Sequence, residues 1–135
     1  MKRIVLDTNC LIASLPSRSI YHKVWSDFIS GKYILCVSNE ILMEYEEIIA
    51  RKTNTIFAGN VIKTILNRQN VIKVDPQYNF HLIENDPDDN KFVDCAICGN
   101  ASYMVSEDAH FRILHKIDFP AIQLLTLREF VDLSR

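Results

Sequence analysis

Short β-rich apolar runs alternate along this chain with longer stretches in which apolar residues recur every three to four positions. This alternation predicts βαβ units, in which helices cover both faces of a mainly parallel sheet. We expect one domain over residues 1–135 with a three-layer α/β/α architecture. The predicted strands are 3–6, 33–38, 70–75, 103–106 and 122–125. The predicted helices are 8–14, 19–30, 39–51, 54–69, 89–100 and 126–134, with a loop at 76–88 and a short turn or helix at 109–116.

Two local signals mark helix ends. Gly31 is expected to close the second predicted helix, because glycine readily adopts the backbone conformation that ends a helix. Thr126 and Glu129 have the spacing of a capping box, which predicts the start of the last helix. Two consecutive helices between the second and third predicted strands are an insertion that could wall a cleft.

Four acidic residues lie near different junctions between a strand and a helix. They are Asp7, Glu44, Asp89 and Asp108. In an open parallel sheet the carboxyl ends of the strands lie along one edge, where ligands bind, so these distant residues can converge. Several carboxylates in one cleft repel each other and lose hydration unless a hard divalent cation neutralises them. The sequence therefore predicts a Mg²⁺ or Mn²⁺ site.

Two of these acids also have ordinary structural explanations. Asp7 could simply cap the helix that follows it, but capping does not require the polar sequence Asp-Thr-Asn at the end of an apolar strand. If Asp7 is a metal ligand, Thr8 or Asn9 would hold its side chain in place or contact the substrate. Glu44 borders the apolar stripe of its helix, which favours a position in the cleft. The alternative for an acid on this helix is a solvated face, which suits the neighbouring acids Glu40, Glu46 and Glu47.

The other two acids, Asp89 and Asp108, lie in the later part of the chain. Most of "ENDPDDN" is expected to be an exposed acidic loop with turn chemistry around Pro87, and Asp89, at the start of the next helix, is the favoured ligand within it. Asp94 lies five residues further on and could reach the same edge. Asp108 follows the apolar strand "YMV" together with Ser106, and its alternative role is that of a turn residue.

Charge and composition narrow the functional classes. The net charge is −2, so the chain lacks the overall basic field of many nucleic-acid binders, and any nucleic-acid contact must come from local basic residues and a metal. The four cysteines are expected to be reduced and mostly buried, with redox or metal binding as the alternative. The chain is expected to be cytoplasmic, because no apolar run approaches the ~18 residues of a membrane span.

Four segments together resemble the PIN domain, a small metal-dependent ribonuclease fold. They are "VLDTN", "SNEILMEYEEII", "DPDDNKFVDCA" and "YMVSEDAHF". The resemblance covers essentially the whole chain, and it is greatest with toxin components of toxin–antitoxin pairs. It places the acidic quartet of the family on Asp7, Glu44, Asp89 and Asp108. Asp94 matches a further acid of this subgroup, and Glu107 stands where glycine is usual in the last motif.

The resemblance implies an endoribonuclease that uses Mg²⁺ or Mn²⁺ to hydrolyse RNA, a small antitoxin as partner, and a homodimer. Lys91 and Arg112 are candidate phosphate contacts because they lie close to the acidic motifs. Two alternatives are a non-catalytic binding module that retains the fold and a metal-dependent phosphatase. A phosphatase of the haloacid dehalogenase type requires a second aspartate two residues after the first, and that position is Asn9.

Overall fold

The computed structural model describes residues 1–75, 89–109, 111–112 and 122–133. Five strands form one sheet in the order β3-β2-β1-β4-β5, and every pairing between neighbours is parallel. The strands are β1 (Arg3–Leu6), β2 (Ile34–Val37), β3 (Val71–Lys73), β4 (Tyr103–Val105) and β5 (Gln123–Leu125). The helices are α1 (Thr8–Ser14), α2 (His22–Ile29), α3 (Asn39–Lys52), α4 (Thr55–Asn67), α5 (Asn90–Cys98) and α6 (Leu127–Leu133). The predicted α/β/α fold with a parallel sheet is confirmed.

The central strands have the apolar composition of strands covered on both faces. The side chains of Ile4, Val5 and Leu6 in β1 are at most 1% exposed, and β2 and β4 also contribute fully buried residues. Helix α5 packs on β1, β2 and β4, while α1 contacts α2 and α3. Continuous burial of this kind leaves only the ends of the strands available for polar chemistry.

Most element boundaries agree with the sequence to within a few residues, and α2 is the largest difference at a helix start. The predicted helix began at 19, whereas α2 begins at His22. The hydroxyl of Ser19 accepts a hydrogen bond from the backbone N–H of Tyr21, which stabilises a turn instead of a helix. Gly31 ends this helix with a φ of 79°, as predicted.

The capping box before α6 is also confirmed. The N–H of Thr126 donates to Glu129 Oε1 at 2.9 Å, and the N–H of Glu129 donates to Thr126 Oγ1 at 3.2 Å. The predicted loop at 76–88, with most of the acidic segment, lies outside the described residues, and so do residues 110 and 113–116 of the predicted turn.

The four cysteines are free thiols, three of them buried, and burial raises the pKa of Cys95 to about 12. This agrees with the expectation of reduced, mostly buried side chains. Among the helices of the described residues, none has the length and apolar character needed to cross a membrane.

Tyr45 connects α3 to the end of β1 by a hydrogen bond. Its side chain is fully buried, and its hydroxyl donates to the carbonyl of Leu6 at 2.6 Å, immediately before Asp7. Tyr45→Phe should lower the unfolding free energy by about 1–3 kcal/mol, because a buried carbonyl loses this donor. Urea denaturation measures the change, and Tyr103→Phe, in a partly exposed tyrosine, is the control. A Tyr45→Phe protein as stable as the parent would contradict the prediction.

Candidate functional site

Asp7 both caps a helix and lies at the carboxyl end of the central strand. Its backbone N–H donates to the carbonyl of Val105 at 3.0 Å, which continues the pairing of β1 with β4 by one residue. Its Oδ1 atom accepts the N–H of Thr8 at 2.7 Å and so caps α1. The side chain is buried, with 7% of its surface exposed. The capping role and the position at the sheet edge therefore coexist.

Ser106 connects two of the predicted site acids. Its hydroxyl donates to Asp7 Oδ2 at 2.8 Å, and Ser106 Oγ in turn accepts the N–H of Asp108 at 2.9 Å. Ser106 itself is buried, whereas Asp108 is half-buried. The adjacent ends of β1 and β4 thus bring Asp7 and Asp108 together through one serine side chain.

Ionisation of Asp7 is unfavourable at this edge of the sheet. Burial raises the pKa of Asp7 above its ordinary 3.8, although the hydrogen bonds from Ser106 and Thr8 act in the opposite direction. The nearby negative charges of Glu44 and Asp108 raise that pKa further. Glu44 and Asp108 are therefore close enough to Asp7 to interact with it electrostatically, and each makes ionisation of Asp7 harder.

Glu44 connects three helices at the mouth of the site. Its Oε1 atom lies 2.7 Å from Lys91 Nζ, and its Oε2 atom accepts a hydrogen bond from the Thr8 hydroxyl. The side chains of Glu44 and Lys91 are only 25% and 16% exposed. The carboxylate consequently joins α3 to α1 and to the start of α5.

The two remaining acids of the sequence prediction lie at the N-cap of α5 and in the middle of that helix. Asp89 immediately precedes this helix, its Oδ2 atom is shielded from solvent, and its side chain makes no capping hydrogen bond. Asp94 lies within α5 and is 4% exposed. Lys91, two residues after Asp89, forms an ion pair with Glu44. The first turn of α5 therefore lies close to Glu44 of α3.

Other predicted residues lie at the periphery. Asn9 in α1 is exposed, and so is Arg112 after β4. The carboxylate of Glu107 accepts the N–H of Leu127 at 2.8 Å, which directs this acid towards the start of α6. The role of Tyr45 could not be predicted from the sequence. Its side chain lies among the buried residues of α3, and such a position gives no signal of the hydrogen bond to the carbonyl of Leu6.

The donor chemistry fits a hard divalent cation, although the side chains that the structure describes do not form a metal-binding group as they stand. Within the described ranges 1–75, 89–109, 111–112 and 122–133, no group of three or more His, Cys, Asp or Glu residues could hold a metal ion. Carboxylate oxygens are nevertheless the ligands that Mg²⁺ and Mn²⁺ prefer. A cation beside Asp7 would also offset the burial and repulsion that raise its pKa.

A parallel α/β/α fold with interacting acids at the ends of β1 and β4 defines a class of proteins with an acidic site at the carboxyl edge of the sheet. The family profile of the PIN domain matches residues 3–110. The chain therefore belongs to the PIN domain family.

Two crystal structures have a similar fold. One is VapBC2 from Rickettsia felis bound to a DNA fragment from its promoter. It has 16% identity and a TM-score of 0.62, and the match covers 92% of this chain and 98% of that chain. The other is DNA-bound VapBC from Salmonella typhimurium, with 17% identity, a TM-score of 0.64, and coverage of 94% and 99%. No match was found among curated proteins. At these identities the two structures support the fold alone.

Proposed function

We propose that this protein is an endoribonuclease that hydrolyses RNA phosphodiester bonds with the help of Mg²⁺ or Mn²⁺. The observation that carries the proposal is the buried carboxylate of Asp7, whose pKa is raised by burial and by the charges of Glu44 and Asp108. Such an arrangement is unfavourable without a compensating cation. Members of the PIN domain family are typically nucleases, and nucleases of this family generally use divalent metals.

The proposed ligands are Asp7, Glu44, Asp89 and Asp108, and Asp94 is proposed as a fifth candidate. When bound, a divalent cation supplies a water of lowered pKa and stabilises charge at the phosphorus. The chain supplies orientation: Ser106 and the N–H of Thr8 each hold one oxygen of Asp7. Such outer hydrogen bonds keep a ligating carboxylate in one direction.

Substrate binding must overcome the negative charge of the cleft. The net charge of the chain is −2, so its overall field does not attract a polyanion. We propose Lys91 and Arg112 as phosphate contacts, since both lie near the acids in the sequence and Arg112 is exposed. Asn9 is exposed beside Asp7 and Thr8 and is a further candidate for substrate contact.

A cleavage assay tests the proposal directly. The purified chain is incubated with end-labelled single-stranded RNA and with DNA of the same sequence, with Mg²⁺, with Mn²⁺ or with excess chelator. Metal-dependent RNA fragments that disappear with chelator support the proposal. Binding of RNA without cleavage in any metal would favour a non-catalytic module. Release of phosphate from a small phosphomonoester without cleavage of RNA would favour a phosphatase.

Ser106→Ala should slow RNA cleavage by about 10- to 100-fold, the usual cost of losing a residue that orients a metal ligand. The hydroxyl that holds Asp7 Oδ2 disappears, and the pKa of Asp7 should rise because that bond opposes the effect of burial. Initial rates over a series of Mn²⁺ concentrations measure the loss. Ser26→Ala, at an exposed hydroxyl on α2, is the matched control. An unchanged rate for Ser106→Ala would exclude this positioning role.

We further propose that the enzyme is a cytoplasmic toxin neutralised by a small antitoxin, and that the domain can form a homodimer. The support is the sequence resemblance to such toxins and the likeness in fold to two VapBC structures. Physically, an arginine of the partner could satisfy the carboxylates through its bidentate fork and so exclude the metal.

Expression in a bacterial host tests the toxin assignment. Induced synthesis of this chain should slow growth, and co-expression of a small protein encoded beside it should restore growth. The dimer is tested by light scattering of the purified chain. Normal growth, with no neighbouring binder, would contradict the toxin assignment and leave the nuclease proposal standing, because the latter depends on the acids.

A further inference from the structure

Lys91 and Glu44 form a partly buried ion pair inside the proposed metal site. Their charged atoms are 2.7 Å apart, a distance typical of a strong charge-assisted hydrogen bond. Lys91 Nζ also lies 5.8 Å from the centre of the Phe92 ring, so the ammonium group interacts both with Glu44 and with this ring. An ammonium group thus lies where the proposed chemistry requires a divalent cation.

The second carboxylate oxygen of Glu44 also has a hydrogen-bond partner. It accepts a hydrogen bond from the hydroxyl of Thr8, and the N–H of the same threonine holds Asp7. A cation bound between Asp7 and Glu44 must therefore take over the Glu44 oxygen that Lys91 contacts, or bind directly beside the ammonium. Two cations at such short range repel each other strongly in a partly buried site.

We propose that Lys91 is an exchangeable internal counterion, which holds Glu44 in the metal-free protein and competes with the divalent cation for that carboxylate. This inference rests on the proposed function, since it takes Glu44 as a metal ligand. In the metal-free state Lys91 relieves repulsion among the acids. If a divalent cation takes the place of Lys91 on Glu44, the ammonium group would become available to a phosphate of the substrate.

The chemistry of lysine suits exchange better than that of arginine. The ammonium group is a compact charge on a flexible stem with rotatable bonds, so it can leave Glu44 without moving the helix. A guanidinium group would hold both carboxylate oxygens in a planar fork and would be harder to displace. Lys91 is therefore expected to weaken metal binding less than an arginine at the same position.

Removal of the lysine charge tests the competition. The dissociation constant for Mn²⁺ is measured on the full chain by electron paramagnetic resonance of free Mn²⁺ and by calorimetry. Lys91→Met should bind Mn²⁺ about three- to tenfold more tightly than the parent, since the competing charge is gone. Lys63→Met, at an exposed lysine of α4, removes the same charge and should change the constant by less than about twofold, because surface charges are screened.

Two further variants keep the test decisive. Lys91→Arg should bind Mn²⁺ no more tightly than the parent, and it is informative even if Lys91→Met folds poorly. Asp7→Asn should abolish the tight Mn²⁺ binding, which locates that binding at this site. Unchanged or weaker Mn²⁺ binding by Lys91→Met, or tighter binding by Lys91→Arg, would overturn the proposal.

The two proposals fail differently. If Lys91→Met tightens Mn²⁺ binding but the parent cleaves no RNA, the counterion role stands and the ribonuclease proposal fails. If the parent cleaves RNA with Mn²⁺ but Lys91→Met binds the metal like the parent, the ribonuclease proposal stands and the counterion role fails.

Discussion

Asp7→Asn should reduce metal-dependent RNA cleavage by more than about 100-fold, since loss of a residue that merely orients a metal ligand already costs about 10- to 100-fold. Asparagine preserves the shape of the side chain and an acceptor for the N–H of Thr8, but it removes the charge that would hold the cation. Initial rates at saturating Mn²⁺ measure the effect. Asp132→Asn makes the same change at an exposed position of α6 and should leave the rate unaltered. Cleavage by Asp7→Asn at the parental rate would mean that these acids are not the active site.

The same substitution should leave the metal-free protein at least as stable as the parent. The pKa of Asp7 is higher in the folded protein than its ordinary 3.8, so the folded state binds more protons than the unfolded state at pH values between the two. Stability from this group therefore falls as the pH rises through the folded pKa, and Asp7→Asn avoids that loss. Urea denaturation with chelator present should show that the advantage of Asp7→Asn shrinks as the pH is lowered towards 3.8.

Bound metal should stabilise the folded protein, and Glu44→Gln should remove most of this gain. A ligand at about 100 times its dissociation constant adds ~2.7 kcal/mol to the unfolding free energy when it binds only the folded state. Urea denaturation with and without Mn²⁺ measures that increment at one Mn²⁺ concentration for all variants. Glu46→Gln lies two residues further along α3 on an exposed position and serves as the control.

Equal stabilisation of the parent and of Glu44→Gln would show that this carboxylate is not a metal ligand. Loss of the increment in Glu46→Gln as well would instead indicate that Mn²⁺ binds nonspecifically to the acidic face of α3. The pair of variants therefore separates a specific site from a general attraction of cations.

The order and type of the elements could be predicted from the sequence because each strand is a short apolar run between amphipathic stretches. The continuous burial of Ile4, Val5 and Leu6 in β1 is the structural counterpart of that pattern. The start of α2 was missed because one serine hydroxyl stabilises a turn, and such a local bond does not alter the apolar periodicity.

The convergence of Asp7 and Asp108 could be anticipated from parallel strands that end at one edge. The partners of these acids could not. The hydrogen bond between Ser106 and Asp7 joins residues 99 positions apart, and it depends on β1 and β4 being neighbours in the sheet. The contact of Lys91 with Glu44 likewise depends on how α3 and α5 approach each other, which periodicity does not specify.

The pairing of β1 with β4 has a consequence for the time at which activity can arise during synthesis. β1 leaves the ribosome before β4 and Ser106, which follow about a hundred residues later. Until then Asp7 lacks both the strand beside it and the hydroxyl that orients it. A nascent chain that ends before Ser106 is therefore expected to lack the proposed ribonuclease activity.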